Sequence, residues 1–214
     1  MHEDVDRMDA PFTTAGAIAL ELLASPAVAD AWSSASALPA MSVGALACHL
    51  GRQAVRAADL LPVATDLAPL GSADAHYHRA AWVTSTSPDD PVNDRSADDA
   101  DAALGHGALL ERTADALARV QTLLTTGAAR PVVGLPWQGW ALHRDDFLLT
   151  RLLEVVVHSD DLAVSTGVPT PAFPPEVFGP VRDLLGRLAE HRHGQSALVG
   201  ALARRERARV VSAF

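Results

Sequence analysis

The sequence predicts an all-α protein built on a four-helix bundle. Alanine and leucine dominate an apolar fraction of 49%, and both are strong helix formers. Aromatic residues make up only 5%, and β-branched runs, the usual material of strands, are few. Four long helical segments joined by short irregular connections complete the argument. At 214 residues the chain is long enough for one domain with a real core and a short appendage.

The first helix is expected from near Thr13, with Ile18, Leu20, Leu22 and Leu23 as its apolar surface, and Pro26 should kink or end it. Ser34 to Pro39 reads as a small-residue turn. Ser42 is a good N-cap for a second helix reaching about Leu61. Pro62 to Gly71 is a linker, followed by a short helix over Ala73 to Val83 and an exposed loop over Ser85 to Asp94. Ser96-Ala-Asp-Asp99 fits a capping box opening one long helix to Thr126, ended by Gly127. Ala128 to Arg144 is irregular, with Pro131-Val-Val as a possible extended piece. Asp145 or Asp146 caps the fourth long helix, which Gly167 ends. Val168 to Pro175 marks a boundary, so residues 1–170 are read as the bundle and 171–214 as a helical extension packed on it. The extension holds helices over Glu176 to His193 and Gln195 to about Arg209, and its arginine-rich end reads as solvated.

The fourth helix carries the chemistry. At the helical period Thr150, Asp161, Glu154, Phe147, His158 and Arg151 fall in one sector of about 100°, while leucine, valine and alanine cover nearly all the rest. A helix of that kind is buried on most sides, and buried ionisable groups are costly unless paired or bound to metal. Glu154 and His158 are one turn apart on the same face, the spacing of two ligands to one ion. The same spacing also describes a solvated ladder, Arg151 to Glu154 to His158, worth a few tenths of a kcal/mol. A metal site needs a third ligand, and His49, midway along the second helix, is the positional candidate. It shares its face with Arg52 and Arg56, which by itself is equally consistent with solvent exposure.

Two segments carry a resemblance. "SVGALACHL" (residues 42–50) resembles the second-helix motif of the mycothiol-dependent maleylpyruvate isomerase N-terminal family, a branch of the DinB-like metalloproteins, and "LTRLLEVVVHSDDLAVSTG" (149–167) resembles that family's fourth-helix motif. They occur in the family's order, about a hundred residues apart, and the tail "ALARRERARVVSAF" resembles endings of short actinobacterial members. The resemblance implies a DinB-like bundle holding a divalent metal, usually zinc, with His49, Glu154 and His158 as ligands. It makes Asp161 a supporting or capping residue, and Arg151 a group that steers an anionic substrate or holds Glu154; these two are the candidate catalytic residues. It further implies mycothiol as thiol cosubstrate, presented as a thiolate to an electrophilic or acidic small molecule. The isomerase itself carries a further C-terminal domain contributing to its active site, whereas only about forty residues follow the bundle here. The expectation is therefore the broader one, a metal-dependent, mycothiol-using S-transferase or isomerase. The alternative is a non-enzymatic metal-binding helical module, such as a stress-response or binding protein.

The formal charge of −9 argues against a nucleic-acid partner. No apolar run approaches the roughly 18 residues of a spanning helix, and the Met-His-Glu-Asp start has no signal-peptide pattern; a cytoplasmic monomer or homodimer is expected. All 17 basic residues are arginine, which with the alanine excess points to a GC-rich genome. The single cysteine, Cys48, lies about 100° round the helix from His49 and reads as a small core residue. His76 and His78 point apart on their helix and read as surface residues, as do His191 and His193; His143 reads as capping or solvent-facing. Trp137 and Trp140 either seal a bundle end or line a pocket mouth.

Overall fold

The computed structural model describes residues 8–85, 90 and 94–214. The N-terminal Met-His-Glu-Asp and most of the 85–94 loop lie outside the described residues. Four long helices form the bundle: α1 (Asp9–Leu23), α3 (Val43–Leu60), α6 (His106–Thr125) and α7 (Arg144–Thr166). Helix α3 packs on α6 and α7, and α1 closes the bundle against α7 and α6. Short helices α2 (Pro26–Asp30), α4 (Ala73–Arg79) and α5 (Ser96–Ala102) lie between them, and α8 (Pro175–His193) and α9 (Gln195–Ala203) follow. Helix α8 lies on α7, α1 and α4, and α9 lies on α8. Among the described residues no helix is long and apolar enough to cross a membrane.

Local chemistry explains most boundaries. Pro26 ends the first helix's reach and occupies the first turn of α2, where its missing N–H costs nothing. The Ser42 hydroxyl accepts the Ala45 N–H at 3.1 Å and caps α3. Gly51 lets α3 approach α6 closely, because a Cβ there would lie 2.5 Å from Thr113 Oγ1. Gly167, at φ +68°, ends α7 in the left-handed conformation.

Several sequence expectations are corrected. The helix expected unbroken from Ser96 to Thr126 is two helices, because Gly105 turns the chain at φ +89° and lays α5 across α3. The capping box does not form: Ser96 instead bonds back to Asp94, its N–H donating to Oδ1 at 2.9 Å. Neither Asp145 nor Asp146 caps α7. His143 holds the N-cap position without a side-chain bond, Asp145 accepts the Met8 N–H at 3.2 Å, and Asp146 accepts the Ala73 N–H at 2.9 Å. The last helix stops at Ala203, followed by a 3₁₀ turn over Arg205–Arg207.

The stretch read as irregular contains two strands of a small sheet. Strands β2 (Val132–Leu135) and β3 (Trp140–His143) are antiparallel, and β1 (Pro69–Leu70) from the linker adds parallel to β3, pairing Leu70 with Leu142. Val133, Leu135 and Leu142 enter a core cluster with Phe12, Leu61, Phe147 and Leu148 at that end of the bundle. Strand β3 runs directly into α7, so the sheet anchors the helix that carries Glu154 and His158.

Candidate metal centre

Helix α7 is central in the molecule. Leu148, Leu152, Leu153, Val155, Leu162 and Ala163 are buried, although Val164 is 63% exposed. Its ionisable stripe faces α3. His49, Glu154 and His158 each present one ligand atom, all within 4.8 Å of one another. Glu154 Oε2 lies 3.3 Å from His158 Nε2 and 3.7 Å from His49 Nε2, and the two rings stand edge to face with centroids 4.7 Å apart. The stripe is therefore an inward-facing cluster joining two helices, not a solvated ladder; the Glu154 side chain is only 14% exposed.

Each imidazole is held from behind. His49 Nδ1 lies 3.0 Å from Asp98 Oδ2 on α5, and His158 Nδ1 lies 3.0 Å from Asp161 Oδ2. A carboxylate on one ring nitrogen fixes the tautomer and turns the other nitrogen toward the ligand position. Two Nε2 atoms and a carboxylate oxygen thus converge, a donor set that fits a divalent cation with coordination positions left open. Asp98 had no signal in the sequence: it sits in an aspartate-rich run, and its place at His49 depends on the break at Gly105. Asp161 lies one turn after His158 on the same helix.

Charge completes the cluster. Burial would raise the Glu154 carboxyl, but hydrogen bonds with His158 and His49 and the charges of His158 and Arg151 hold it well below the usual range. Burial likewise disfavours protonated His158, yet Asp161 and Glu154, one on each ring nitrogen, raise it to about 9. Arg151 is buried at 6% exposure. It donates from Nη1 to Gln53 Oε1 at 2.7 Å and from Nε to Thr150 Oγ1 at 3.3 Å. Arg52, on the His49 face of α3, is not a solvent-facing residue: it pairs with Asp98 at 2.9 Å and with Asp101.

The remaining candidates sort differently. Cys48 is buried, and burial pushes its thiol up to about 12, in keeping with a core residue. His78 is exposed and stacks on His191 with centroids 3.9 Å apart. His193 bonds the Ser212 carbonyl through Nε2. His76 is a correction: it is 4% exposed, not a surface residue, because α4 turns it under Trp140, whose Nε1–H donates to His76 Nδ1 at 3.2 Å. Burial, then the charge of Arg151, lowers His76 to about 4. Its folded pKa is depressed, so its stability contribution is complete above about 6.5 and lost as pH falls toward 4. Wild type should lose about 3 kcal/mol more than His76→Gln over that interval, read as urea-denaturation stability against pH. Equal acid slopes would rule out this role. Trp137 remains 56% exposed.

Fold and donor set together define a class: a helical-bundle protein that gathers two imidazoles and a carboxylate from its second and fourth long helices. The model of the mycothiol maleylpyruvate isomerase N-terminal domain matches residues 13–163, and the chain belongs to that family. No curated protein and no solved structure matches the chain.

Proposed function

We propose that the protein is a metal-dependent enzyme using mycothiol as thiol cosubstrate, an S-transferase or thiol-assisted isomerase, and that His49, Glu154 and His158 hold the metal. The observation that carries this reading is the paired backing of the two imidazoles by Asp98 and Asp161, which leaves both Nε2 atoms and Glu154 aimed at one point. Zinc suits two imidazoles, one carboxylate and an open position. A metal bound there supplies Lewis acidity, under which a thiol loses its proton near neutral pH.

The chain's own residues do the rest. Asp98 and Asp161 keep the two rings oriented with Nε2 toward Glu154. Arg151, whose charge adds to the His158 and His49 hydrogen bonds that keep Glu154 ionised, is itself fixed by Gln53, which makes it a positioning residue. Leu46, Leu50 and Leu153 on the same two helices are buried core residues. Every residue of this proposal lies within residues 13–163, the span that the family model matches.

The test is protein purified without added metal. About one equivalent of a divalent metal per chain should be present, by elemental analysis. The loaded protein should then consume mycothiol with an electrophile panel including maleylpyruvate and a chromogenic arylating agent, and Glu154→Ala should abolish the consumption. A metal-loaded protein that neither binds nor turns over mycothiol with any acceptor would instead be a non-enzymatic metal-binding module.

A further inference from the structure

A second feature of α3 lies beside this site. His49, Arg52 and Arg56 fall on one stripe of the helix, and Arg56 stands two turns, about 10 Å, along the axis from His49. Three of the arginines around the cluster are already engaged: Arg52 with Asp98 and Asp101, Arg112 with Asp101, and Arg151 with Gln53. Arg56, only partly buried, has no carboxylate partner among the described residues. Its guanidinium instead lies over the Trp137 ring, 5.2 Å from the centroid. Trp137 sits at the turn of the β2–β3 hairpin and is the more exposed of that hairpin's two tryptophans.

We propose that Arg56 and Trp137 form the substrate-recognition wall of the site, which receives the carboxylate of a small anion carried on an apolar or conjugated stem. The inference rests on the reading of His49, Glu154 and His158 as the reacting centre, and it assigns the anion to Arg56 rather than to Arg151. A guanidinium offers a planar fork to a carboxylate, and the exposed indole offers an apolar surface beside it. Arg56 also bears the cost of its position: burial first, then the charges of Arg151 and Arg52, lower its guanidinium to about 10. A bound carboxylate would relieve that repulsion. The overall charge of −9 makes an unpaired, half-buried arginine at this point more telling, since acidic partners are plentiful elsewhere on the chain.

Calorimetric titration with cinnamate and with its neutral analogue cinnamamide tests this, in zinc-loaded and chelator-treated protein. Cinnamate should bind about tenfold or more tighter than the amide in the loaded protein. Arg56→Gln should erase that preference, with zinc content and helical circular dichroism unchanged, and Arg56→Lys should restore part of it. Trp137→Leu should weaken both ligands alike. The preference should persist, reduced, after chelation. If Arg56→Gln keeps the full preference, or cinnamate does not bind, the proposal fails. If the preference disappears on chelation with Arg56 intact, the metal itself takes the carboxylate: Arg56 is then excluded while the metal centre stands. A chain that binds no zinc but still loses its preference in Arg56→Gln separates the two readings in the opposite sense.

Discussion

Glu154→Gln should leave the bundle folded and nearly empty of metal. The amide keeps the shape of the side chain but removes the carboxylate placed between the two Nε2 atoms, 3.3 and 3.7 Å away. Loss of a contact that merely supports a ligand costs about 10–100-fold in affinity, so loss of this ligand should cost at least about 100-fold. Elemental analysis should fall from about one equivalent to a small fraction, with unchanged helical circular dichroism because α3 and α7 pack through a continuous apolar core of their own. A full equivalent retained by Glu154→Gln would remove Glu154 from the ligand set. A full equivalent retained by His49→Ala would remove α3.

Metal binding should also depend steeply on pH, and over a higher range than an ordinary histidine gives. Without metal, His158 is held protonated by Asp161 and Glu154 to about 9, and a ligand imidazole must give up that proton. Apparent affinity should therefore fall about tenfold per pH unit below about 9, leaving it about 100-fold weaker at pH 7 than at its plateau. The metal-free fold responds with the opposite sign. The folded pKa of His158 is raised, so its stabilising contribution is fully present below about 6.5 and is lost as pH rises through about 9. Competition with a chelator from pH 6 to 9 reads the first effect, and Asp161→Asn should move the break downward by removing a carboxylate from Nδ1. A profile flat between pH 7 and 9 would show that His158 is not a ligand.

The parts of this centre differ in how they could be read from the chain. Glu154 and His158 were legible because both lie on one helix, where spacing alone fixes the shared face. His49 needed the motif around it, since a lone histidine beside Arg52 and Arg56 looks the same whether it faces water or a site. Asp98 was not legible. Its position follows from Gly105 turning the chain, and a glycine within a helical pattern leaves the new direction unspecified. His76 was misread for a related reason: its burial comes from Trp140, sixty-four positions away, and no local period records that contact. Of the sheet only the Pro131-Val-Val piece, whose two valines lie in β2, was legible; β1 escaped because it is only two residues long and its partner strand lies far along the chain.

The direct passage from β3 into α7 has a mechanical meaning. A helix that starts from a flexible loop can roll about its axis and slide along it. One that begins at the last residue of a paired strand, with Asp145 bonded to Met8 and Asp146 bonded to Ala73, starts from an indexed position. Each residue advances a helix by about 100°, so one residue gained or lost between His143 and Thr150 would turn Glu154 and His158 away from His49, while the apolar residues around most of α7 could still find a core. The sheet thus serves as a clocking pin: the bundle could tolerate the wrong rotation, and the site could not.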